Sequence, residues 1–231
     1  MMYAFDTLAM DFPVLLGRQH IEDSLMCQFI QREGFLVQLN SPLEYIVTSP
    51  TPVKPYASQE AVNETKKIAL PDLGPLNCLS YFFENNVYRE ENSFALSDWK
   101  RDNVPHIHTC FEVHSGLAPQ LFGDDHYFGR SLIMAFASGL AQARALYGDD
   151  ISGVLPAPIT VHFVNTDGKR FFFSVFQLNT MDANSDIKNV FWHDPTVHSL
   201  YDQCNYVTGR PVIEGCNPEV ANKLLSIYLQ S

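Results

Sequence analysis

The segment ITVHFVNTDGKRFFFSVFQLNT, Ile159 to Thr180, reads as two strands joined by a tight turn. Asn165, Thr166, Asp167 and Gly168 separate the apolar runs and supply residue types that tolerate a positive φ, as a hairpin turn requires. In the second strand both alternations are largely apolar: Phe171, Phe173 and Val175 on one side, Phe172, Phe176 and Leu178 on the other. A strand with one wet face would alternate apolar with polar. This one is expected to be central and covered on both faces.

The flanking segments supply the covering layers. Upstream, GRSLIMAFASGLAQARALYGDD predicts a buried helix over Arg130 to Tyr147, with Asp124 and Asp125 near its start and Gly148 as its stop. Its expected apolar stripe is Leu132, Ile133, Phe136, Ala137, Leu140 and Ala141, while Ala135, Ser138, Gly139 and Ala143 keep it thin enough for close approach. Downstream, NVFWH predicts a strand, and NPEVANKLLSIYLQ a terminal helix with Asn217 as N-cap and Pro218 in its first turn. The order helix, strand, hairpin strand, strand, helix implies an α/β (mixed α+β) domain in which helices pack on a mixed central sheet.

The earlier half is punctuated differently. IEDSLMCQFIQREG has apolar residues at Ile21, Leu25, Met26, Phe29 and Ile30, a helical spacing that Gly34 would end. FLVQL predicts a strand, and SPLEYIVTSPTPVKPY, with four prolines, an edge strand or extended connector. Ser58 and the run to Leu70 read as a capped helix, and LNCLSYFFENNVY as a strand followed by a polar loop. Arg89 to Asn103 reads as a surface excursion tethered by Trp99, and PHIHTCFEVH as a half-buried strand. The division is therefore a lead segment, 1–57, and a mixed α/β domain, 58–231.

Composition narrows the function classes. Of 231 residues, 46% are hydrophobic and 18% charged, which suits a packed domain rather than a disordered chain. Fifteen Lys and Arg against 26 Asp and Glu give a formal charge of -11, which repels phosphate unless cations cluster. Lys66-Lys67, Lys100-Arg101 and Lys169-Arg170 are isolated doublets. No apolar run approaches the ~20 residues of a membrane-spanning helix. The first 30 residues lack the charge balance of a targeting peptide, so any such signal is expected to be missing or upstream. Five widely spaced cysteines without a C-x-x-C pair predict reduced thiols.

Parts of this sequence resemble the outlines of known chemistries. Restriction-endonuclease-type enzymes carry an Asp on the first strand of such a hairpin and a Glu-x-Lys on the second, which hold magnesium and orient water. The matching places here hold Thr160 and His162, then Gln177 and Asn179, so the outline is at most a degenerate nuclease-like core without its ligands. His106, His108 and Cys110 alternate along one predicted strand and would project from one face, where zinc could be held with His114 or His126. A half-buried strand with hydrogen-bonded imidazoles explains the same residues. Cys110 and Ser131 lie in no nucleophile signature, and Gly123 to Gly129 lacks the Lys-Ser/Thr of a phosphate loop. Phe122, Tyr127, Phe128, Tyr147, Trp192, Tyr201 and Tyr228 are core fillers or interface anchors.

Longer blocks carry a resemblance. MAFASGLAQARALYGDD, VNTDGKRFFFSVFQLNTMD, IKNVFWHD and NPEVANKLLSIYL, in that order and spacing, resemble the C-terminal part of the animal mitochondrial large-subunit ribosomal protein thirty-seven family. SQEAVNETKKIALPDLGPLNC resembles an upstream piece of it. The resemblance implies a structural constituent of the mitochondrial large ribosomal subunit, located in the matrix, with no catalytic residue, no cofactor and no metal. It implies ribosomal-protein partners, including the related mitoribosomal protein S-thirty (programmed cell death protein nine), with limited rRNA contact. Family members are longer at the N-terminus, so the lead segment is expected to be the remnant of a longer region. Arg130, Arg144, Lys169, Arg170 and Lys188 are the candidate rRNA contacts, and Phe128, Tyr147, Trp192 and Tyr228 the candidate interface anchors. The alternative is a divergent metal-dependent hydrolase, either a nuclease or a zinc enzyme.

Overall fold

The structure, a computed structural model, describes residues 10–32, 35–70, 104–114 and 123–230. After a 3-10 turn, Pro13–Gly17, come β1 (Gln19–Arg32), β2 (Phe35–Ser49), α1 (Gln59–Glu64), β3 (His106–Val113), α2 (Asp125–Tyr147), β4 (Val154–Thr166), β5 (Arg170–Thr180), β6 (Val190–His193), β7 (His198–Ser199), β8 (Gln203–Val207), β9 (Arg210–Glu214) and α3 (Pro218–Leu229). Seven strands form one mixed sheet in the order β1-β2-β3-β4-β5-β6, with β7 also on β5. Among the described residues the β3–β4 ladder is parallel and the other pairings of the sheet are antiparallel. No helix among the described residues is long and apolar enough to cross a membrane.

β5 is covered on both faces, as its sequence requires. On one face Tyr127 of α2 stacks on Phe172 with ring centroids 4.1 Å apart, and Phe136 meets Phe176 edge-on. On the other, Phe171, Phe173 and Val164 bury Val220 of α3, with Leu224 and Ile227 packed alongside. The turn between β4 and β5 is held by Asp167, whose Oδ1 accepts from the backbone N–H of Lys169 (3.0 Å) and Arg170 (2.7 Å), while Gly168 takes φ +89°.

α2 lies close to the sheet because its inward face is small. A Cβ on Gly139 would sit 3.4 Å from Leu178 Cβ, and Ala135, Ser138 and Ala143 are fully buried beside it. The expected apolar stripe is corrected in part: Ala137, Leu140 and Ala141 are buried, but Leu132 and Ile133 are 40% and 54% exposed. Ser131, Ser138 and Gln142 take inward places instead, and the first two satisfy their hydroxyls on the preceding turn's carbonyls.

The helix expected within Ile21 to Gly34 is strand β1. Its apolar spacing fits a helix equally well, but every position from Ser24 to Arg32 is paired with β2, from Ser24–Leu43 to Arg32–Phe35. Long-range ladder bonds and burial of Met26 through Phe29 outweigh local periodicity. β2 is likewise not confined to an edge. Tyr45 to Thr48 runs between β1 and β3, whereas Pro42 lies before the β3 ladder begins and pairs only with β1. Residues 50–55 form the extended connector. Ser58 caps α1, which continues as a 3-10 turn only to Lys67. The strand expected in Leu76 to Tyr88 and the Trp99 excursion lie outside the described residues.

The two ends of the described chain meet. The Arg18 guanidinium donates to Tyr228 O at 3.2 and 3.1 Å and also to Gln230 O, capping carbonyls at the end of α3. Leu15 and Val47 pack on the Tyr228 ring.

Gly139→Val should overpack the α2–sheet contact and cost about 1–3 kcal/mol, read as a lower urea midpoint. An unchanged midpoint would mean that α2 does not sit this close to Leu178.

Candidate interaction surfaces

The four hairpin positions that would carry nuclease ligands are used for architecture. Thr160 and Gln177 face each other across β4 and β5. Gln177 Oε1 accepts from the backbone N–H of Tyr56 and Ala57, both at 2.8 Å, and its Nε2 donates to Asn179 Oδ1 at 2.9 Å. Asn179 Nδ2 donates to Lys188 O. Two buried amides thus pin the 50–57 connector and the segment before β6 onto the sheet. Their neutral oxygens are occupied by N–H donors.

The alternating His106, His108 and Cys110 do not share a face. Val47 of β2 pairs with Thr109 and Thr48 with Ile107, which leaves His108 as an extra residue, a β-bulge. The bulge turns Cys110 toward α2, where its thiol donates to Ser138 Oγ, and His108 toward α3. There His108 Nε2 donates to Gln230 O at 2.9 Å and its ring lies 5.2 Å from that of His162. His162 Nε2 is 2.8 Å from Gln230 Oε1. Among the described residues no group of three or more His, Cys, Asp or Glu side chains could hold a metal ion. Burial pushes the Cys110 thiol up to about 12, far from a thiolate.

Burial, and then the positive Arg18 nearby, lowers the His108 pKa to about 3, and burial lowers that of His162. The folded state therefore binds fewer protons at these rings than the unfolded chain does below the ordinary value of 6.5. Stability is expected to be full above that value and to fall as pH drops through it toward about 3. His108→Gln should flatten this acid limb in denaturant titrations across pH. A parallel shift of the whole curve would assign the acid sensitivity to other groups.

Each of the five candidate phosphate-binding cations is engaged by its own chain. Arg130 Nε donates to the buried Glu112 at 2.9 Å, and Arg144 reaches across to Gln28 Oε1 (2.5 Å) and Phe29 O (2.7 Å) of β1. Lys169 Nζ donates to Asp202 O and lies over the Tyr201 ring, and Lys188 Nζ donates to Ser185 O, both bonds at 2.6 Å. Arg170 bridges Asp167 (2.8 Å) and Asp124 (2.9 Å) while stacked over Tyr127.

Of the candidate anchors, Tyr228 is buried among Leu15, Val47 and the Phe111 ring. Phe128 is half-buried against Phe172 and His193, Trp192 against Tyr56, and Tyr147 at the end of α2.

An apolar surface that sequence reasoning missed lies on the β8–β9 hairpin. Every residue of both strands is exposed. The register Cys204–Ile213 and Tyr206–Pro211 puts these four on one face, with Tyr206 77% and Ile213 55% exposed. Thr208 (φ +51°) and Gly209 (φ +78°) make the turn, and Asp202 N donates to Glu214 O at the base. The available signal was period-2 alternation of Cys204 with Tyr206 and of Pro211 with Ile213 on either side of Gly209.

Known proteins place this chain in context. No family model matches it. It is 34% identical to large ribosomal subunit protein mL37 of Gallus gallus over 96% of this chain and 54% of that protein. The mL37 proteins of Rattus norvegicus and Bos taurus are 32% and 31% identical, each over 94% of this chain and 53% of theirs. The chain spans about half the length of the curated relatives it matches.

Proposed function

We propose that this chain, 31–34% identical to mL37 proteins over about half of their length, belongs to their family and is a structural constituent of the mitochondrial large ribosomal subunit, held there chiefly by protein neighbours. The observation that carries the second clause is the engagement of Arg130, Arg144, Lys169, Arg170 and Lys188 inside the chain. Each already spends donors inside the chain, and the formal charge of -11 repels phosphate. Contact with rRNA is then limited.

Protein partners suit the remaining surface. The Cys204, Tyr206, Pro211 and Ile213 face has the aromatic and aliphatic character of an interface core, and Leu132 and Ile133 offer a second apolar strip on the outer side of α2. Phe128, Trp192 and Tyr147 retain partly exposed rings suited to the rim of such contacts. We place mitoribosomal protein S-thirty among the neighbours. This reading gives the chain a role in mitochondrial translation within a ribonucleoprotein, in the matrix, with no catalysis of its own. No observation among the described residues favours a metal-dependent hydrolase.

Sucrose-gradient sedimentation of mitochondrial lysate containing the tagged chain tests the proposal. Co-migration with the large subunit should survive high salt, because apolar contacts are insensitive to counterion release. Loss at high salt alone would assign the attachment to phosphate contacts. Absence from the large-subunit fractions at every salt concentration would overturn the ribosomal role for this chain.

A further inference from the structure

The β8–β9 hairpin pairs with no other described strand, and every residue of its two strands is exposed. A lone two-stranded hairpin is marginally stable in water, and a third strand is one way to steady it. The register shows which edge is open to such a strand. Thr208 and Gly209, both at positive φ, make a two-residue turn that closes on Val207–Arg210, so this pair exchanges both of its backbone hydrogen bonds. Bonded and non-bonded pairs alternate from there. Asn205–Val212 and Gln203–Glu214 are bonded, whereas Tyr206–Pro211 and Cys204–Ile213 turn their backbone groups outward.

The two edges therefore differ. On β9 one outward place is Pro211, which has no N–H to offer, and a proline there blunts the edge against strand addition. On β8 Cys204 and Tyr206 each present an N–H and a C=O, at the two-residue spacing with which an antiparallel strand exchanges its bonds. Among the described residues no backbone hydrogen bond reaches these groups. Charge is also sorted along the arm. Arg210 stands at the tip and Asp202 and Glu214 at the base, where Lys169 donates to Asp202 O, and the strand positions between are uncharged. Arg210 and Glu214 share the face opposite to Cys204, Tyr206, Pro211 and Ile213.

We propose that β8 takes up an antiparallel strand of a neighbouring protein, hydrogen-bonded to the backbone of Cys204 and Tyr206. The side chains opposite these two are apolar and widen the Cys204, Tyr206, Pro211 and Ile213 face. Such a strand runs from the tip of the hairpin to its base. It begins with a carboxylate on the Arg210 side and ends with an ammonium or guanidinium on the Asp202 and Glu214 side, so that its charges complement those of the arm. A second copy fits less well, because it sets two chains of formal charge -11 against each other across one short edge. That the strand comes from a ribosomal neighbour rests on the reading above; the chemistry of the edge does not.

The test titrates the full chain with the end-capped peptide Glu-Val-Thr-Ile-Lys and with Lys-Val-Thr-Ile-Glu, its charge-exchanged counterpart, and follows backbone amides by NMR. The first peptide should move the Cys204 and Tyr206 amides downfield, leave Ile213 on the far edge in place, and bind about threefold tighter than the second. Tyr206→Pro removes an outward N–H and none of the bonds to β9, so it should keep the Asn205 and Val212 amide positions and lose about tenfold in peptide binding. Tyr206→Val, which keeps the N–H, should bind within about twofold of the unsubstituted chain. In large-subunit fractions Tyr206→Pro should be retained several-fold less than Tyr206→Val. Unmoved Cys204 and Tyr206 amides, equal binding of the two peptides, or unaltered binding by Tyr206→Pro would overturn strand addition at this edge. Equal retention of the two variants on the subunit, or shifts of the Cys204 and Tyr206 amides with protein concentration alone, would overturn a neighbour's strand as the occupant, the latter in favour of a second copy. Failure of the unsubstituted chain to co-sediment counts against the ribosomal reading and leaves the peptide titration to decide the edge.

Discussion

Burial of β5 on both faces is the constraint from which the rest of the architecture follows. Phe172, Phe176 and Leu178 need one apolar layer and Phe171 and Phe173 another, and no single helix can supply both. α2 meets the first requirement from just upstream of the hairpin, and α3 meets the second after the chain has crossed β6 to β9. Because α3 arrives last, its end needs an anchor from elsewhere in the chain. Arg18 and the ring of His108 supply it by donating to the carbonyls of Tyr228 and Gln230. The opening and closing residues of the described chain are thereby joined under one sheet face, with buried polar groups that resist protonation.

Much of this was legible in the sequence where local and tertiary preferences agree. The doubly apolar pattern of β5, the Asp-Gly turn before it, the thin face of α2 and the Asn217 cap of α3 all carry their own signals, and the structure places each as expected. β1 departs from the helix its sequence predicts because Ile21, Leu25, Met26, Phe29 and Ile30 satisfy a helical period as well as a paired strand, and only the β2 partner resolves the ambiguity. The fate of the His106, His108 and Cys110 series turns on one extra residue against Val47 and Thr48, a register event that no spacing within β3 announces. The exposure of Leu132 and Ile133 is of the same kind. The strength of an apolar stripe does not say which side of a helix the sheet will take when small and polar residues fit the narrower gap.

The hydrogen-bonding side chains share a pattern that bears on function. At the places where a nuclease would hold carboxylates, Gln177 and Asn179 bind backbone groups of the connector and of the segment before β6. The surface cations bind carboxylates, carbonyls and ring faces of the same chain. Polar chemistry at these positions is thus directed inward to hold the fold, while apolar side chains stand exposed on the β8–β9 face and the outer strip of α2. That distribution suits a protein that occupies a fixed place among other proteins, in keeping with a chain 31–34% identical to mL37 proteins.

The most direct measurement of that claim is crosslinking of assembled large subunits followed by mass spectrometry, with a zero-length reagent for carboxylates and amines and ultraviolet light for RNA. Asp202 and Glu214, exposed at the base of the β8–β9 hairpin, should join to lysines of neighbouring ribosomal proteins. Peptides containing Lys169 and Arg170 joined to rRNA, with no protein crosslink from the hairpin, would contradict the account.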